Sequence, residues 1–395
     1  MLTQNINFNK FGVKKKNFKT KLFVKKTLKK YLNNNFFKSL SRNYVYSFTQ
    51  KKILKYKKFH NFNIIGMGGS SLGIEAIYNF LNFKIKKKFY FYNNINSNKF
   101  SDKKKIKVLN IIISKSGNTL ETISNFNILK NKKNNLFICE RSNNYLRKLA
   151  NKLKCEILEH RNYIAGRYSV LSEVGMLPSI LMGLKEEKFK DFDNLIKNAK
   201  FIDGLIDSVS STIFFVKNKK FNSIILNYDE QSEELFKWYQ QLLAESLGKK
   251  SKGLLPLVST MPKDNHSLMQ LYLDGPKNSF YTFFDVIEKK ALKINNSLIL
   301  DSHDYLKNKS LLDIKIAQKK ATQTVFKNKK IPFRSFDVLN RSEKSLGEIF
   351  TFFMLETILL GDALKVNPFD QPSVELIKIE TNKILKKIKK NQILS

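Results

Sequence analysis

Cysteine is nearly missing from this chain of 395 residues, where Cys139 and Cys155 are the only two and no CxxC spacing occurs. That excludes a disulfide framework, offers no zinc site, and makes a reducing cytoplasm the expected compartment. Long apolar runs are missing too. The stretch "IFTFFMLETILLGDAL" is interrupted by Glu356 and Asp362, and nothing approaches the roughly 20 apolar residues that cross a bilayer, so no membrane partner is expected. The amino-terminal "MLTQNINFNKFGVKKK" lacks the order of basic, apolar and small-residue segments that a secretory leader needs. Arginine is scarce, seven residues against 65 lysines, although the formal charge is +39. Such a charge suits a nucleic-acid partner through counterion release, but readers of base edges favour arginine forks. Lysine is spread through every segment among abundant Asn and Ile, as an A+T-rich coding sequence produces. We read it as a solvated surface and expect no nucleic acid.

Hydrophobic residues make up 42% of the chain, enough for a large core divided between two domains at the usual domain size. Residues 1–58 carry apolar residues at helical spacing in "FVKKTLKKYLNNNFFKSL" and read as a helical arm. From residue 59 short apolar runs alternate with Gly/Ser loops and helical patterns. The spacing predicts strands at 62–66, 89–92, 107–113, 135–139 and 155–158, the alternation of a parallel sheet covered by helices on both faces. A second cycle occupies 196–365, after a helix in "GRYSVLSEVGMLPSILMGL". It has helices at 201–217, 230–247 and near 265–273, 310–327 and 343–363, with strands in "NSIILNY", "GLLPLVS" and "PFRSFDVL". The expected architecture is thus α/β, two doubly wound units at 59–195 and 196–365, ended by a tail helix over 366–395 that Pro372 opens.

Two loops at predicted strand ends are built for an anion. "IIGMGGSSLG" sets Gly66, Gly68, Gly69, Ser70 and Ser71 between a strand and a helix. Glycines let a ligand approach the backbone, and the helix start offers free N–H groups. The dinucleotide pattern GxGxxG fails at Ser71, and an ordinary tight turn remains the alternative. In "LNIIISKSGNTLETI", Ser114, Ser116 and Thr119 can donate to an oxyanion and Lys115 adds a full charge. Helix capping is the competing use of Ser116 and Thr119. Both loops would converge on one phosphate at the carboxyl edge of the sheet.

"SKSGNTLET" resembles the phosphosugar-binding loop of sugar isomerase domains. "GRYSVLSEVGMLP", "QQLLAESLGK", "DNHSLMQLYLDGP" and "NPFDQPSVELIK" follow in the order used by the glucose-6-phosphate isomerase family, so the similarity spans residues 64 to 378. Ala165 stands where that family usually has the first of two glycines, and Ser373 where it has Gly or Ala. The resemblance implies two tandem sugar isomerase (SIS) domains acting on a hexose phosphate, without cofactor or metal.

Moving a carbonyl between C1 and C2 of a sugar needs a base that takes a proton from one carbon and returns it to the other, and a carboxylate near apolar surroundings suits this. Glu245 borders the apolar stripe of Leu235, Tyr239, Leu242 and Leu243, beside Trp238 and Gln241. On spacing alone such a glutamate is more often merely solvated; the resemblance makes it the base, with Gln241 lining the sugar. By the same resemblance Arg167 is the cation that stabilises enediolate charge, a buried salt bridge being its alternative. His266 and Lys378 correspond to the residues that open the ring, and Gln371 to a phosphate ligand. The resemblance further implies a homodimer in which His266 reaches the partner's site. The rival readings are a phosphosugar sensor without turnover, which would need no Glu245 or His266, and a Lys-rich nucleic-acid binder.

Overall fold

The computed structural model describes residues 1–13, 18–31, 35–95, 107–129, 133–288 and 291–394. Among the described residues ten strands form two five-stranded sheets. The first contains β2 (Asn61–Ile65), β3 (Lys88–Tyr92), β4 (Val108–Ile113), β5 (Asn135–Cys139) and β6 (Glu156–Glu159), in the order β3-β2-β4-β5-β6. Every pairing in it is parallel. Its central strands, "NFNII", "VLNIII" and "NLFIC", are buried almost throughout, the continuous apolar text expected of parallel strands covered on both faces. One polar rung crosses this interior. Asn63 donates to Asn110 at 2.8 Å and Asn110 to Asn135 at 2.9 Å, so neighbouring strands satisfy one another's amides where water cannot.

The second sheet has the order β1-β10-β9-β7-β8, with β1 at Ile6–Asn9, β7 at Asn222–Asn227, β8 at Leu255–Thr260, β9 at Ser279–Val286 and β10 at Phe333–Val338. Four of its strands are parallel, and β1 joins antiparallel, Ile6 opposite Val338 and Asn9 opposite Ser335. The arm expected to be wholly helical therefore opens with a strand. The reason is tertiary: β10 would otherwise present a bare edge, and β1 covers it while burying Ile6 completely. Helices Phe18–Tyr31, Asn35–Lys38 and Gln50–Leu54 follow; arm residues 14–17 and 32–34 lie outside the described ones. The run "SFYTFFDV", to which the sequence assigns no element, is β9, buried at all eight positions.

Helices Ala199–Lys217, Glu233–Leu247 and Glu343–Ala363 pack together and join the units through one continuous core. The last opens with a capping box, Ser342 exchanging hydrogen bonds with Ser345. Glu356, one of the residues that interrupts its apolar run, meets Arg334 in a bidentate pair, both side chains almost fully buried. No helix among the described residues is long and apolar enough to cross a membrane. The tail helix, Pro372–Leu394, starts at Pro372 as its sequence predicts.

Candidate active site

The carboxyl ends of β2 and β4 bring the two glycine-bearing loops together. A Cβ on Gly66 would lie 3.0 Å from the carbonyl oxygen of Ile113, the residue before Ser114. Gly68 has a φ of +53° and Gly69 ordinary backbone angles. Added Cβ atoms at these two would stand 2.7 Å from Gln241 Nε2 and 2.3 Å from the carbonyl carbon of Gly166 respectively. The loop after β2 is thus wedged against both the Arg167 turn and the Glu245 helix; the backbone contact at Gly69 admits no Cβ, and the positive φ of Gly68 favours glycine there. Ser70 is buried in the turn Gly68–Ser70.

In the second loop the hydroxyls of Ser114 and Thr119 lie 2.8 Å apart, and Gly117 N donates to Ser114 Oγ at 3.1 Å. Thr119 stands at the N-cap of helix Leu120–Ile128 without side-chain capping, so its hydroxyl is committed to Ser114 instead. Ser116 is exposed, and its Oγ accepts from Asn118 N at 3.3 Å. Lys115 donates to the Asn162 carbonyl at 2.8 Å and lies 3.5 Å from Glu140.

Arg167 is the centre of the arrangement. It lies in the turn Gly166–Leu171, and its side chain is fully buried. All five guanidinium protons have acceptors: Nε donates to Ser246 Oγ at 2.8 Å, and Nη1 to Glu245 at 2.8 Å and Gln371 at 2.6 Å. Nη2 donates to the carbonyls of Pro368 at 2.7 Å and Asp370 at 2.9 Å. A guanidinium has five donors in a rigid plane, so this set fixes its position and orientation. Trp238 Nε1 holds the Arg167 carbonyl at 3.1 Å, and the Tyr168 hydroxyl meets Ser246 Oγ at 3.0 Å. Burial pushes the Tyr168 phenol up to about 12, so it stays a neutral hydrogen-bonding group.

Glu245 lies on the helix Glu233–Leu247, whose apolar stripe buries Leu235, Tyr239, Leu242 and Leu243 as its spacing predicts. One carboxylate oxygen accepts from Arg167, the other from Gln241 Nε2 at 2.8 Å, and a fifth of the side chain's surface faces outward. Gln241 is one turn earlier on the same helix face. The structure thus joins Arg167, Glu245, Gln241 and Gln371, with Gly69 against them. It does not join His266 or Lys378 to them. His266 is exposed at the end of turn Lys263–His266, and its ring hydrogen-bonds no other described group. Lys378 is exposed on the tail helix, paired with Glu375 at 2.6 Å. Reasoning from residue types passed over Ser246, Pro368 and Asp370, although all sit inside the quoted motifs. Main-chain carbonyls carry no sequence signal, which accounts for Pro368.

The phosphoglucose isomerase family model matches residues 38–395. Glucose-6-phosphate isomerase of Methanocaldococcus jannaschii is 31% identical over 361 residues, 85% of this chain and 86% of that one. The Mycoplasmopsis pulmonis glucose-6-phosphate isomerase is 36% identical over 57% of this chain; the match spans only 54%, about half, of that relative's length. Among solved structures, a hypothetical protein from Thermus thermophilus superposes with a TM-score of 0.78 at 22% identity, covering 93% of this chain and 94% of that one. A glucose-6-phosphate isomerase from Chlamydia trachomatis does so with 0.71 at 18%, covering 86% and 73%. With a family model matched over nearly the whole described chain and a relative above 30% identity along most of it, the chain belongs to the phosphoglucose isomerase family.

Proposed function

We propose that the chain interconverts glucose 6-phosphate and fructose 6-phosphate through an enediolate, with Glu245 as the base. The observation that carries this is the contact of Glu245 with a buried arginine whose every proton is used. Glu245 would take the proton from C2 of the open aldose and return it to C1, leaving the carbonyl at C2. While the enediolate exists, negative charge develops on the oxygens at C1 and C2. A cation that needs no reorganisation stabilises that charge most effectively, and Arg167 is held in this way. A second proton passes from the hydroxyl at C2 to the oxygen at C1, so two protons and one electron pair move within the substrate. C1 is reduced as C2 is oxidised, and no external oxidant or reductant is needed.

The substrate phosphate is assigned to the loops containing Gly69 and Ser70 and Ser114, Lys115, Ser116 and Thr119, together with Gln371, and Gln241 is assigned to the sugar. Ring opening is assigned to His266 and Lys378, His266 coming from the partner of a homodimer. That assignment suits the exposure of His266 on its own chain. We place the enzyme in the cytoplasm. A sensor without turnover would have no use for a carboxylate set against a fixed guanidinium. The test is a coupled assay of purified protein for glucose 6-phosphate formed from fructose 6-phosphate. Turnover at enzymatic rates supports the reading, and binding of the sugar phosphate without turnover overturns it in favour of a sensor.

A further inference from the structure

Arg167 depends on the segment Asn367–Gln371 for three of its five acceptors, the carbonyls of Pro368 and Asp370 and the amide of Gln371. That segment is itself held from the other side. Lys249 lies just beyond the helix that carries Glu245, with its side chain 9% exposed. Its ammonium donates to the Ser246 carbonyl at 3.1 Å and to the Asn367 carbonyl, and meets Asp370 Oδ1 at 2.9 Å. Lysine has three donors, and all three are used. The second Asp370 oxygen accepts from Asn367 Nδ2 at 2.9 Å, and the Lys249 ammonium holds the Asp370 carboxyl below the usual carboxylate range.

The backbone is bent to allow this. Lys250 and Ser251 both have positive φ, 53° and 57°, a conformation that costs energy in residues other than glycine and persists only where surroundings require it. Their turn returns the chain so that Lys249 N donates to Lys252 O at 3.1 Å. On the far side a Cβ at Gly361 would lie 2.9 Å from the Pro368 ring, so Pro368 packs directly against the helix Glu343–Ala363.

We infer that Lys249 and Asp370 form a clasp that positions Arg167 for catalysis by fixing the peptide segment from which Arg167 takes its acceptors. Ser246 links the two sides, its hydroxyl accepting from Arg167 and its carbonyl from Lys249. The ion pair adds little by its own attraction, because Asp370 is half exposed. Its effect is geometric. Both are positioning residues: they touch neither the proposed base nor the phosphate loops. The inference rests on the isomerase reading given above.

The experiment compares wild type with Lys249→Met, Asp370→Asn and the double variant in steady-state isomerisation of fructose 6-phosphate. Inhibition by inorganic phosphate and by a phosphorylated sugar hydroxamate, an enediolate mimic, is measured alongside. A displaced catalytic group costs on the order of tenfold to a hundredfold in rate, so each single variant should lose that much in kcat. KM and phosphate inhibition should change by less than kcat, because the loops after β2 and β4 are untouched and Gln371 is the one proposed substrate contact in the clasped segment. The hydroxamate should weaken by the same factor as kcat. The double variant should be no worse than the poorer single, since both changes open one clasp, and Lys249→Arg should recover part of the loss. Unchanged kcat in Asp370→Asn, whose half-exposed carboxylate makes it safe to fold, overturns the inference even if Lys249→Met does not fold. So does a loss confined to KM. If wild type itself shows no turnover, the functional reading fails instead.

Discussion

Glu245 has one oxygen bonded to a buried cation and the other to an amide, so it is aimed before any substrate arrives. Replacing it by Gln keeps the shape and removes the base. We expect turnover to fall by roughly 10² to 10⁴, the usual contribution of general base catalysis, with KM little changed. Exchange of the C2 proton with solvent, followed by NMR in deuterated buffer, checks it; surviving exchange would assign the base elsewhere. A second single residue makes a prediction about pH. His160 is 1% exposed, its Nδ1 lies 3.1 Å from the Arg161 carbonyl, and burial pushes its imidazole down to about 4. An unfolded histidine titrates near 6.5, so between these values the unfolded chain binds a proton that the fold refuses. The contribution of His160 is therefore complete above pH ~6.5 and is lost as pH falls toward 4, at up to about 1.4 kcal/mol per pH unit. Urea midpoints at pH 7 and pH 5 should converge for a His160→Gln variant more than for wild type. Equal slopes would exclude His160 as the source.

Between single residues and the whole chain stand the loops and strands that carry them. The loop after β4 closes on its own hydroxyl pair, Ser114 to Thr119, and an arriving phosphate would take over those donors. Hydrogen bonds to a charged group are worth roughly 1.5 to 3 kcal/mol each, so Ser114→Ala combined with Thr119→Ala should weaken sugar phosphate and inorganic phosphate alike. The inhibition constant for phosphate measures it directly; an unaltered constant would locate the anion site outside this loop. At this scale the sequence was most legible where one face or both are buried. β2, β4 and β5 fall within a residue of their expected bounds, because short runs of Ile, Leu and Phe interrupted by nothing but Asn admit few other conformations. β1 was illegible because "INFN" is short and polar, and its strand character comes from the edge of β10. In the site, side chains of rare types in a recognisable order were legible, Arg167 and Glu245 above all. Three acceptors of Arg167, Ser246 and the carbonyls of Pro368 and Asp370, were not, since two of them are peptide carbonyls brought close by packing.

At the scale of the whole molecule, the question is whether one chain holds a complete site. Glu245 and Arg167 lie together in the interior, while His266 stands exposed with its ring free of described partners. The edge strand β8, which leads into the turn that carries His266, exposes Leu255 and Leu257, and Leu271 is 54% exposed on the helix after that turn. A symmetric dimer in which His266 crosses to the partner would complete each site with residues of both chains. In an isologous dimer every contact occurs twice. A mixed dimer of Glu245→Gln and His266→Ala chains would then hold one site with both lesions and one with neither. Random assortment makes half of the dimers mixed, so co-refolding equal amounts should restore activity to about a quarter of wild type. Each variant alone should be nearly inactive. Should His266 act within its own chain, every site in the mixture carries a lesion and nothing is regained. A mixture no more active than its parents, with dimers verified by sizing, would reject the shared site.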